Sequence, residues 1–392
     1  MVRSTSEFRS VRRRTPAGLR GLLRSPFQLG VLALLLVLAL VALRNILPIN
    51  GAAEYTANQF VRQLIFGLAQ GSIYALIALG YSLCYSVLST INFAHGEVFM
   101  AGAYAGVFAV SATQEIGLLE SNPFAALLVV ALAGMVASGV VALLLERVIY
   151  RPLRGGSRLV LLIAAIGASI TLQQLFTRLF GANARRFPDV SLFALPGVCP
   201  TLGNQGFDAS GVCRGIDLIS GYYNVNLFGL DIRVLPIHFI VIISALILMA
   251  GFWFLLMHTS LGRSIRAVAE DRRAAALMGL DINRVIAFAF LFSGLLAGAG
   301  GILFSLYNPQ VTPFIGFLPG LKAFTAAVLG GIGYIPGAML GGLLIGVIES
   351  VVPSMLGMSP QLRDVIIFGI LALVLLLRPQ GIFGEARAET RE

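Results

Sequence analysis

Long apolar runs separated by brief polar breaks fill most of the chain, and their lengths predict ten membrane spans. These lie at about 27–44, 64–88, 91–111, 123–146, 158–180, 235–257, 285–306, 319–333, 336–355 and 362–378. The eighth is too short to cross as a helix alone, so it is expected to be re-entrant or broken. Irregular backbone of that kind is tolerated only where protein or water covers it. The expected fold is therefore all-α: a polytopic membrane bundle of about ten spans. A basic tail (1–26) precedes the transmembrane domain (27–378), and a short tail (379–392) follows it. Span 27–44 has the basic flank and apolar core of a signal peptide. No small-residue cleavage pattern follows it in LVALRNILPIN, so it is expected to be a retained anchor.

Against this background one polar, helix-forming island stands out, 259–284 (TSLGRSIRAVAEDRRAAALMGLDINR). Its good helix formers predict a short helix, with Arg266 and Glu270 spaced to pair on one face. Gly279 suits a left-handed stop, and Asp281 or Asn283 suits the cap of the next span. A helix lying across the cytoplasmic face of a bundle is what a transporter needs to receive force from a separate motor. Ala267, Glu270, Asp271, Ala275 and Gly279 are the candidate contacts with such a motor. The plain alternative is a solvated basic loop.

Composition agrees with a membrane protein: 57% hydrophobic and 12% charged residues, with a mean hydropathy of +0.89. The net charge of +10 sits beside apolar spans, which points to membrane orientation and away from nucleic acid. Seven arginines precede the first span, so the N-terminus is expected in the cytoplasm. With that orientation 19 of the 28 basic residues fall on the cytoplasmic side. Loop 181–234 is then extracytoplasmic, where Cys199 and Cys213 can form a disulfide. Gly or Ser recurs at four-residue spacing within spans (Gly67/Gly71, Gly102/Gly106, Gly294/Gly298, Gly342/Gly346), the mark of close helix packing in lipid.

Two polar breaks remain. Asn92-Phe93-Ala94-His95-Gly96-Glu97 opens the third span, which the predicted topology places near the cytoplasmic interface, with Asn92 placed to cap and Glu97 placed in the positive first turn. Gly330-Gly331-Ile332-Gly333 leads to Pro336 and is either a tight turn or an exposed helix break able to bind the charged ends of a zwitterion. Asn92, His95, Glu97, Gly330, Gly331 and Gly333 are the candidate gate or path residues. Glu349 is the one acid well inside an apolar run. Three scattered histidines form no metal site, and the chain lacks a phosphate-binding loop; its sole lysine is Lys322. No nucleophile has a base and an orienting group, so an enzyme is not expected.

The runs GSIYALIALG (71–80), INFAHGEVFMAGAY (91–104), Leu261-Gly262-Arg263, Ala269-Glu270-Asp271 and KAFTAAVLGGIGYIPGAMLGG (322–342) resemble the LivH-type permease of branched-chain amino-acid ABC importers. The resemblance covers about 64–384. It implies a multi-pass subunit of the bacterial inner membrane, paired with a LivM-like permease. It further implies two LivG- and LivF-like ATPases, which use ATP and Mg, and a periplasmic substrate-binding protein. This chain would bind no cofactor itself, and the island would be the coupling helix. Related permeases carry urea, short-chain amides or other neutral amino acids. An ion-gradient-driven carrier is the competing class, and its mark would be mid-membrane acids. The basic tail with span 27–44, and the enlarged loop 181–234, depart from the family pattern.

Overall fold

The computed structural model describes residues 57–187, 194–195, 216–217, 223–227, 230–355, 360–378 and 380–382. Span 27–44 and the Cys199/Cys213 pair lie outside the described residues. Among the described residues thirteen α-helices follow in order: α1 (Ala57–Leu88), α2 (His95–Glu115), α3 (Leu118–Ser121), α4 (Pro123–Leu145), α5 (Arg151–Leu153), α6 (Arg158–Phe180), α7 (Pro236–His258), α8 (Ser260–Glu270), α9 (Arg272–Leu277), α10 (Ile282–Tyr307), α11 (Phe317–Gly330), α12 (Ile335–Met355) and α13 (Arg363–Leu377). A π-helical turn, Glu146–Tyr150, joins α4 to α5. Among the described residues seven helices are long and apolar enough to cross a membrane. The fold is the helical bundle that the apolar runs predict.

Loop contacts sort the two ends of the bundle. On the basic side Gly333 N–H donates to Ser82 Oγ (2.8 Å), Arg154 to Asn283 Oδ1 (2.7 Å), and Ile382 N–H to the Leu329 carbonyl (2.8 Å). On the opposite side a short antiparallel pair joins Arg185–Arg186 to Gln310–Val311, and Phe187 N–H donates to the Pro309 carbonyl (2.7 Å). A hairpin, Tyr223–Leu227 with Leu230–Val234, precedes α7.

These contacts explain the short eighth span. At 14 residues, α11 is about 21 Å long against a hydrocarbon core of ~30 Å. The chain leaves α10 on the opposite side and descends as non-helical backbone through 308–316. It turns helical only at Phe317, where Gly316 packs against Gly96, and reaches the basic side at Gly330. The crossing is completed by coil plus half-helix, with the coil covered by α2.

Small residues set the core, since lipid provides no hydrophobic drive between helices and close approach must supply the contact energy. A Cβ on Gly342 would meet the Ala75 backbone, and one on Gly346 the Gly71 backbone, so α1 and α12 lie backbone to backbone. Gly102, Gly298 and Ser138 bring α2, α10 and α4 to one point, where Ser138 Oγ donates to the Val98 carbonyl (2.8 Å). The outer helices α4, α6 and α7 leave rows of large apolar side chains exposed, as a lipid or subunit face requires.

Candidate translocation knot and coupling surface

The polar knot ahead of α2 folds back into the bundle. His95 lies 3.4 Å from Ser293 Oγ, near the middle of the 26-residue α10. Glu97 Oε1 accepts from Ser169 Oγ (3.0 Å) and Gln173 Nε2 (2.6 Å), near the middle of the 23-residue α6. The knot therefore sits at mid-depth and not at the cytoplasmic interface that its position at the start of a span suggests. The reason is that 89–94 climbs inward beside α1 before α2 begins.

Burial is nearly complete for Asn92, His95 and Glu97. Asn92 does not cap α2; the cap residue is Ala94, with no side-chain bond. Instead Asn92 Oδ1 accepts from Ala94 N–H (3.0 Å) and from Tyr150 Oη (2.8 Å), which locks the loop to the π-helical turn. His95 stacks edge-on against Tyr81 at 4.7 Å between ring centroids. Glu97 occupies the first turn of α2, where the helix dipole favours a negative charge. Its Oε2, and His95 Nε2, have no hydrogen-bond partner among the described residues. Glu97 opens onto a cavity of about 170 Å³ between α6 and the Gly96–Gly316–Gly320 contact.

Gly330, Gly331 and Gly333 are elsewhere, in the α11–α12 turn on the basic side. Gly331 and Gly333 have φ of +103° and +87°, and a Cβ on Gly330 would strike the Gly337 carbonyl. The geometry is that of a tight turn, apart from the knot.

The island is two helices, not one rod. Thr259 Oγ1 caps α8 through Gly262 N–H (3.1 Å). Asp271 breaks the rod by capping α9, accepting from Arg273 N–H (2.7 Å) and Ala274 N–H (3.0 Å). Gly279 takes φ +84° as the stop, and Asp281 Oδ1 caps α10 through Asn283 N–H (3.0 Å). Arg266 does not pair with Glu270; its guanidinium turns back to the Leu256 carbonyl. Of the five candidate docking residues, Ala267, Glu270, Asp271 and Gly279 are exposed. Ala275 is buried. Sequence reasoning missed Leu277 and Met278, exposed at 89% and 84% at the tip. Two large apolar residues immediately before the left-handed glycine were the available signal.

A side-chain hydrogen bond ties this tip to the bundle, and an ion-pair cluster lies beside it. Arg272 donates to the Val87 carbonyl at the end of α1. Burial, then the neighbouring Arg154 charge, lower its pKa. Buried Glu146 accepts from Arg154 (2.7 Å) and Arg151 (3.1 Å), and Arg154 reaches on to Asn283. Burial lowers the Arg154 pKa while Glu146 opposes the shift.

Residues 63–375 match the family model described as branched-chain amino acid transport system / permease component. The chain belongs to that family. It is 40% identical over 331 residues to the high-affinity branched-chain amino acid transport system permease protein BraD of Pseudomonas aeruginosa, covering 84% of this chain and 97% of the relative. It is 37% identical over 335 residues to the permease protein LivH of Escherichia coli K12, with the same coverage. A more distant relative, the fructose import permease protein FrcC of Rhizobium meliloti, is 27% identical over 208 residues, 49% of this chain and 57% of FrcC. No solved structure matches.

Proposed function

We propose that this chain is a permease subunit of an ATP-binding-cassette importer that carries branched-chain amino acids inward across the bacterial inner membrane. A LivM-like permease would complete the path, two LivG- and LivF-like subunits would hydrolyse ATP with Mg, and a periplasmic binding protein would deliver the substrate. This chain would bind no cofactor. The observation that carries the reading is the capped α8–α9 hairpin on the basic side, which holds Leu277 and Met278 out from the bundle. An apolar tip in water is unfavourable unless a partner covers it.

Force on that tip has a physical route inward. Arg272 holds α9 to α1, and Arg154 holds the start of α10 to Glu146. The π-helical turn then meets the mid-depth knot through Tyr150 and Asn92. The test is reconstitution of the four membrane-associated subunits with the binding protein. Accumulation of leucine should require ATP and should vanish with Leu277→Asp/Met278→Asp.

A second reading, a carrier driven by an ion gradient, is favoured by one observation: Glu97 and Glu349 are both acids within the bundle, each with an unpartnered oxygen among the described residues. Uptake by the chain alone without ATP would establish it. Urea or short-chain amides as substrate would appear in the same assay as competition against leucine.

A further inference from the structure

The first turn of α2 sets Glu97 in the wall of the cavity of about 170 Å³ that lies between α2, α6 and the start of α11. The side chain is 1% exposed, yet no lysine or arginine among the described residues lines that cavity. Its two hydrogen-bond partners, Ser169 and Gln173, are uncharged and both bond Oε1. Oε2 has no partner among the described residues. Nor does His95 serve as the missing cation, since its Nδ1 faces Ser293 instead (3.4 Å). The helix start supplies only partial positive charge, and a buried carboxylate is held far better by a formal cation.

The rest of the lining narrows the kind of cation. Phe93, Ile166, Ile170 and Leu321 make an apolar wall. The volume is below the roughly 300–1,000 Å³ of pockets for drug-sized ligands, so the cavity suits a compact molecule. Ile170 and Phe317 line it while staying 55% and 51% exposed, which gives a ligand a way in. One acid beside an apolar wall fits a short hydrocarbon chain with a single positive charge, and it repels a carboxylate. An ammonium brings three donors and a charge-assisted bond to the free oxygen.

We propose that this cavity holds the ammonium end of an aliphatic amino acid on its way in. Glu97 Oε2 accepts from the ammonium, and the hydrocarbon side chain rests against Phe93, Ile166, Ile170 and Leu321. The carboxylate points away from Glu97. The inference rests on the importer reading and adds to it which end of the substrate this subunit grips. The plain alternative is a carboxyl group that only ties α2 to α6. Such a tie has no preference among ligands, which separates the two.

The experiment uses the purified complete complex carrying Phe317→Cys, with maleimide labelling at that position read by mass spectrometry. Ile170→Cys is the second reporter should the first variant fail to assemble. Millimolar leucine, and isoamylamine, which lacks the carboxylate, should each slow labelling about threefold or more, while isocaproate, which lacks the ammonium, should not. Protection by isocaproate as well, by sodium ions, or by none of these overturns the subsite. Glu97→Gln keeps an oxygen for Ser169 and Gln173 but removes the charge. In that background half-protection should need about tenfold more leucine, and an unchanged requirement contradicts the proposal. Should Glu97→Gln fail to assemble, the three-ligand comparison in the natural Glu97 background decides. Absence of ATP-driven leucine import by the natural complex would instead reject the importer reading itself.

Discussion

Tyr150 Oη donates a 2.8 Å hydrogen bond to Asn92 Oδ1, joining the π-helical turn after α4 to the loop that carries His95 and Glu97 to mid-depth. Both side chains are buried. Tyr150→Phe removes the donor while Asn92 Oδ1 keeps Ala94 N–H, so the stability cost should be only about 1 kcal/mol. If the bond transmits motion, import per ATP hydrolysed falls while hydrolysis persists. An unchanged ratio would show that the link is only packing.

The hairpin tip gives the opposite pattern. Leu277→Asp and Met278→Asp lie in exposed positions and should change stability by less than about 0.5 kcal/mol. Copurification of the ATPase subunits should nevertheless be lost. Ala275→Glu serves as the contrast, because a charge at that buried position should destabilise the hairpin itself.

Close approach of α1 and α12 predicts intolerance of any added side chain. Gly342→Leu and Gly346→Leu place atoms on the Ala75 and Gly71 backbones, and should cost at least about 1–3 kcal/mol. Gly369→Ala, with open space around its Cβ, should be neutral or slightly stabilising. Thermal unfolding of the purified variants in detergent measures the difference.

Glu97 holds α6 through Ser169 and Gln173, whose helix otherwise presents a largely exposed apolar face. Glu97→Ala removes both bonds, each worth about 0.6–2 kcal/mol within a membrane bundle. Hydrogen exchange over 158–180 should rise while that of α10 stays constant. Equal change in both helices would mean that the variant has loosened the bundle as a whole.

Local chemistry was legible in the sequence wherever one residue decides it. Gly279 stops α9 and Asp281 caps α10 because left-handed φ and a side-chain acceptor are properties of those residues alone. Most spans were legible too, since 20 or so apolar residues have few other solutions. Depth was not. The loop 89–94 reads as an interfacial turn, and only its neighbours in α10 and α6 reveal that it folds inward. Arg266 had two acceptors in reach, and the free carbonyl at the end of α7 won over Glu270. The Lys322–Glu349 contact spans two helices joined by a turn, so neither residue alone announces it. Asp271 was visible as a polar residue in a helical island, but its choice to break the rod came from capping two N–H groups at once.

The central claim is that separate ATPase subunits drive this chain through the α8–α9 hairpin. Counting leucine accumulated against ATP hydrolysed, in proteoliposomes with and without the ATPase subunits, tests it most directly. Accumulation should depend on both ATP and those subunits, and should be abolished by Leu277→Asp/Met278→Asp. Accumulation by this chain alone, driven by an imposed ion gradient in the absence of ATP, would contradict it.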